Sequence, residues 1–170
     1  MAGVLRLGFA ACCAAALSQF PAFSDQYVQR LGGQVDALSR VTADFDSSAS
    51  RAGLTREQAL ADLSGSTFRD LHQRDMGRVF TRLDRARADL ALLRAAAPLE
   101  RIALPHRLRD PATLAATWGD FRPALPVTTA GITAAAIGLG LGMALWSAVA
   151  ALLRRRRRAD IRHQPPALRR

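Results

Sequence analysis

The residues best suited to chemistry are few and scattered. His72, His106 and His163 have no Cys or second His at metal-ligand spacing. Cys12 and Cys13 are adjacent within an apolar run. Neighbouring cysteines rarely bridge each other, so they define neither a disulfide framework nor a metal set. The chain has no glycine-rich phosphate loop, GxSxG elbow or HExxH helix. Four arginines, Arg74, Arg78, Arg82 and Arg85, line one flank of a helical stretch. Such a stripe either docks an acidic partner or is a solvated face. Nearby Asp70, Asp75, Asp84 and Asp89 favour the solvated face. These residues predict no catalytic group, cofactor or metal, and hence a non-enzymatic protein.

The 170 residues carry a net charge of +10, unevenly spread. Residues 24–122 hold 15 Arg against 13 acids, whereas from Arg154 onward eight Arg face Asp160 alone. The excess therefore sits in one tail and does not predict nucleic-acid binding. That tail follows Pro123 to Leu153, 31 residues without a charged side chain. Val127–Leu153 would make a helix of about 40 Å, enough to cross a hydrocarbon core of ~30 Å. Arg154, Arg155, Arg156, Arg157 and Arg158 then mark its cytoplasmic end and meet anionic lipid. Ala130, Ala134, Gly138 and Gly142 recur every fourth residue, a bare face for packing on another membrane helix. Trp146 lies too deep for an interfacial anchor.

Residues 1–23 form a second apolar segment with Arg6 as its charge. An uncleaved membrane helix from about Gly3, ending near Pro21, is favoured over a signal peptide cut after Ala14-Ala15-Ala16, and over lipidation at Phe9-Ala10-Ala11-Cys12, where the apolar run before the box is too short. Gly8, Cys12 and Ala16, or Ala11 and Ala15, could meet the small-residue face.

The elements between follow a helical period. Val28, Leu31, Val35, Leu38, Thr42, Phe45 and Ala49 form one heptad seam, capped at Ser24 or Asp25 and ended by Gly53. Gly32 and Gly33 weaken its middle. Thr55 and Gln58 form a capping box for a short helix to about Leu63. His72, Met76, Val79, Leu83, Ala86, Leu90, Leu93 and Ala97 form a second seam, within a helix from Phe68 that Pro98 stops. His72 should be half-buried near the tip. Two such helices predict an antiparallel hairpin, its register set to within one heptad, pairing Phe45 with Met76, Leu38 with Leu83, Val35 with Ala86, Leu31 with Leu90 and Val28 with Leu93. Its core would be too thin for a buried catalytic pocket. Asp110-Pro111 starts a short helix that Gly119 ends. Trp118 and Phe121 would anchor this piece at the membrane interface.

Ser18-Gln19-Phe20-Pro21 with Gln26-Tyr27-Val28-Gln29-Arg30-Leu31-Gly32-Gly33, and the run Trp118 to Thr128 (WGDFRPALPVT), form two recognisable stretches. They resemble the family of uncharacterised proteobacterial membrane proteins known as the domain-of-unknown-function family numbered twenty-nine thirty-seven. The resemblance implies a membrane protein without assigned activity, and a meeting of the two stretches at the outer surface.

The expected fold is all-α, with two membrane helices flanking a coiled-coil-like hairpin. Its parts are 1–23 (membrane helix), 24–97 (periplasmic hairpin), 98–122 (surface linker), 123–153 (transmembrane helix) and 154–170 (cytoplasmic tail). Both termini would be cytoplasmic at a bacterial inner membrane. The expected role is self-assembly or docking of an envelope partner, without nucleic acid. The alternative is a sensor whose hairpin binds a ligand.

Overall fold

The computed structural model describes residues 2–123, 125 and 127–162, with side chains for 3–123, 125 and 127–153. The described chain is all-helical. Six α-helices run in order: α1 (Ala2–Ser18), α2 (Phe20–Arg51), α3 (Arg56–Asp62), α4 (Thr67–Ala95), α5 (Pro111–Asp120) and α6 (Thr129–Arg162). Two 3₁₀ turns, Glu100–Ala103 and Pro105–Arg107, lie between α4 and α5. Contacts divide the chain into two units, one of residues 1–21 with 123–170 and one of residues 22–122.

The first unit is α1 packed on α6. Ala134, Gly138 and Gly142 are buried and Ala130 is half-buried. A Cβ on Gly138 would lie 2.6 Å from the Cys13 carbonyl oxygen and 2.9 Å from Ala14 Cα. One on Gly142 would lie 2.8 Å from Ala10 Cα. Only bare backbone permits this approach, which maximises van der Waals contact between the two helices. The matching face of α1 is Ala10, Cys13 and Ala14, whereas Gly8, Ala11, Cys12, Ala15 and Ala16 are exposed. Small residues cover α1 on every side, so spacing alone could not fix which face meets α6. Phe9 and Trp146 add a tilted ring contact at 6.0 Å. The helical run from Gly3 and the helix Thr129–Leu153 are each long and apolar enough to cross a membrane. α6 starts two residues later than Val127, because the Thr128 hydroxyl accepts the Gly131 N–H at 3.0 Å and caps it. Its backbone stays helical through the arginine run, but the side chains of Arg154–Arg158 lie outside the described residues.

The second unit is built on α2. Its helix begins at Phe20, not at Ser24 or Asp25: Ser24 is fully buried inside the helix, and Asp25 pairs with Arg101. Pro21 falls in the first turn, where its missing N–H leaves no bond unmade. At the other end Gly53 takes φ +72°. The Leu54 N–H reaches the Ala49 carbonyl at 2.9 Å and the Gly53 N–H reaches Ser50 at 3.0 Å, a Schellman closure. Thr55 and Gln58 form the reciprocal capping box of α3. Ser66 caps α4.

Tyr27, Leu31 and Val35 of α2 share a core with Leu83, Ala86, Leu90 and Leu93 of α4 and with Leu108; Val28 and Leu38 pack at its margin. Towards the α3 end, Thr42, Ala49 and Met76 are buried, while Phe45 and Val79 are half-buried. Contacts between α2 and α4 run in opposite sense: Phe45 with Phe80 (5.4 Å between ring centroids), Ser39 with Arg87 (2.8 Å) and Gly32 against Arg94. They lie about one helical turn further along α4 than the pairing of Phe45 with Met76 would place them. His72 is exposed and stacks on Phe68, so its seam position buries nothing. Arg56 locks the connection, pairing with Asp46 of α2 while its guanidinium lies 4.7 Å over the Phe80 ring.

Leu83 is 2% exposed. Leu83→Ala is expected to cost roughly 2–5 kcal/mol in denaturant unfolding of the full chain, and Arg78→Ala less than about 0.5 kcal/mol. Gly138→Ile is expected to lower the unfolding temperature of the purified chain in detergent, since the clash is with backbone. Gly140→Ile, where a Cβ meets nothing within 4 Å, should leave that temperature unchanged.

Candidate functional site

The polar centre of the second unit forms where residues 98–122 fold back. The carboxylate of Asp89 is 5% exposed on α4. Placed there alone a carboxylate would cost several kcal/mol. Arg109 answers with two bonds, Nε at 2.7 Å and Nη2 at 3.2 Å, and Arg107 adds a third at 3.3 Å. Between those arginines Leu108 enters the core. Asp89 therefore does not neutralise the arginine stripe at a solvated face.

Asp110 does. As the N-cap of α5 it accepts the Thr113 N–H at 2.9 Å and the Arg82 guanidinium at 2.9 and 3.0 Å. Burial alone would push its carboxyl up; the Arg82 and Thr113 bonds outweigh this and hold it at about 2. The Asp110 N–H donates to the Tyr27 hydroxyl at 3.2 Å. Burial pushes that phenol up, partly offset by the same N–H. The Gln34 amide, turned so that its oxygen faces Arg82, joins Arg82 to Thr113. Thr113 and Thr117 are buried, the latter's hydroxyl bonding the Thr113 carbonyl at 2.7 Å.

Nearer the start of α2, Arg101 is buried. Its Nε donates to the Leu93 carbonyl at 2.8 Å and its Nη1 pairs with Asp25. Arg30 pairs with Asp120, which sits one residue past Gly119 in the last turn of α5, so Gly119 does not end that helix. Phe23 meets the Phe121 ring at 5.4 Å and the Trp118 ring at 6.0 Å, both edge-on. Trp118 is otherwise 75% exposed. Residues 98–122 are thus a third layer on α2 and α4 rather than a free linker.

Beside this frame lies an open groove of about 930 Å³. Arg74, Arg78, Arg82 and Arg85 line one wall, and Arg109, Asp110, Pro111 and Ala112 the other. Leu31, Gly77 and Ala86 add apolar lining, and Thr81 and the Arg109-paired Asp89 complete it. Among the described residues no three His, Cys, Asp or Glu could hold a metal ion together. Sequence reasoning did not select Tyr27, Gln34, Asp89, Arg101, Arg107, Arg109 or Asp110 as site residues. The Asp110-Pro111 helix start was the available signal.

The stretches Gln26–Gly33 and Trp118–Arg122 meet through Arg30–Asp120 within this unit. Residues 1–159 match the family described as protein of unknown function, DUF2937. The chain belongs to that family. No curated protein and no solved structure matches this DUF2937 chain.

Asp110 gives a pH dependence. Its folded carboxyl titrates near 2 and its unfolded one near 3.8, so the native state binds the proton less readily. The stabilisation is complete above about pH 5 and is lost as pH falls through 4 towards 2, by ~2 kcal/mol. Asp110→Asn, which keeps a capping side chain, should flatten that acid limb in urea unfolding measured from pH 6 to pH 2.

Proposed function

We propose that this DUF2937 chain is a non-enzymatic inner-membrane protein that presents a helical body on the periplasmic side. In this reading α1 and α6 form the anchor, both termini are cytoplasmic, and residues 24–122 are periplasmic. The body is an antiparallel hairpin of α2 and α4, braced by residues 98–122, available for self-assembly or for an envelope partner.

The observation that carries the anchor is the glycine contact of α1 on α6. Two apolar helices meeting through bare backbone, with Val4, Leu5, Ile132, Leu141 and Leu145 turned outward, suit a lipid surround. Orientation follows from Arg154–Arg158, since arginines next to a membrane helix stay cytoplasmic and each adds about 1 kcal/mol at an anionic leaflet. A sensory role, with a ligand bound on the body and the signal passed to a partner, is favoured by the arginine-lined groove.

Reporter fusions test the topology. A periplasm-dependent reporter should be active at Ser64 and silent at Arg170, and the opposite pattern would refute the orientation. Replacing Arg154–Arg158 together with Gln should scramble it. Light scattering of the full chain in detergent reads self-assembly directly, as a multiple of 18.3 kDa.

A further inference from the structure

The arginine stripe carries more positive charge than its frame uses. Asp110 is taken by Arg82, Asp89 by Arg107 and Arg109, and Asp75 by Arg78. Arg74 and Arg85 pair with no described residue, yet both line the groove. They stand eleven residues apart on one face of α4, about 16 Å along the axis, with Arg78 and Arg82 between. Gly77, in the same wall, leaves open space where a side chain would project.

From this geometry we propose that the groove is a binding site for an elongated anion carrying two or more phosphate groups. A planar guanidinium matches a phosphate with two parallel hydrogen bonds, and several along one wall match several phosphates. The groove's volume of about 930 Å³ lies in the range of small-molecule sites, and its arginines are spread along one helix face, which suits an elongated ligand. Leu31, Ala86, Pro111 and Ala112 give the ligand's apolar part something to lie against. The headgroup of a two-phosphate lipid and a soluble polyphosphate ester share this chemistry. The proposal does not rest on the topology or on self-assembly.

The test uses the full chain in nanodiscs of neutral lipid, with inorganic tripolyphosphate as probe in isothermal titration calorimetry. Expected is saturable one-to-one binding that weakens with salt and exceeds orthophosphate affinity by at least tenfold. The double variant Arg74→Gln, Arg85→Gln should lose at least tenfold in affinity at unchanged thermal stability, since it breaks no ion pair within the body. Arg40→Gln, at an exposed position of α2 outside the groove lining, and separately the replacement of Arg154–Arg158 with Gln, should keep the binding. Added cardiolipin that competes with tripolyphosphate identifies a lipid headgroup; failure to compete identifies a soluble ligand, and either supports the site. Absence of saturable binding, or binding that survives the double variant, would overturn it. So would tighter binding of a polyglutamate peptide than of tripolyphosphate, which makes the groove a protein-docking surface.

Discussion

The second unit depends on the burial of Asp89. A carboxylate held inside a helical core needs both charge and hydrogen bonds, and α4 supplies neither at that point. The partners come from Arg107 and Arg109, 18 and 20 residues later. Meeting them requires the chain to turn back after α4, which the two 3₁₀ turns accomplish. Leu108, between the two arginines, then falls into the core beside Tyr27 and Leu90. Removing one partner from such a set costs more than the set contributes, because the remaining charge stays buried. The ion pairs therefore tie residues 98–122 to α4.

A different constraint governs the first unit. Between two apolar helices the gain from contact is dispersion, which falls steeply with distance. Gly138 and Gly142 let the Ala10–Ala14 backbone of α1 approach where any side chain would hold it off. In the second unit, Leu31, Leu83 and Leu93 instead fill space with bulk, because there burial removes apolar surface from water. One chain thus uses opposite side-chain sizes for its two helix pairs.

What was legible in the sequence follows the range of the interaction. The αL stop at Gly53, the Thr55–Gln58 box and the Asp110 cap are settled within six residues, and each stands as its local pattern implied. Both apolar helices were legible from composition. The start of α2 was not, because Ser24 resembles a cap until Phe20 and Pro21 are known to be helical. Asp89 looked like one more charge on a helix surface, since nothing within a turn reveals burial by residues twenty positions away. The register between α2 and α4 was legible only to within a heptad, because the repeat looks nearly the same after each step along it, and the contacts fall about a turn from the nominal pairing.

The same difference in range explains why the groove is basic. Short-range pairing alternates sign along α4, and Asp70, Asp75, Asp84 and Asp89 give the sequence the look of a neutralised face. The fold then spends those charges unevenly. Asp70 turns back to the Gly65 N–H at 3.1 Å, Asp75 takes Arg78, and Asp89 is committed to the return segment. The return segment brings Arg109 to the groove with Asp110, and Asp110 is already shared between Arg82 and the start of α5. Arg74 and Arg85 therefore line the groove without an ion pair among the described residues, although the sequence around them is close to balanced.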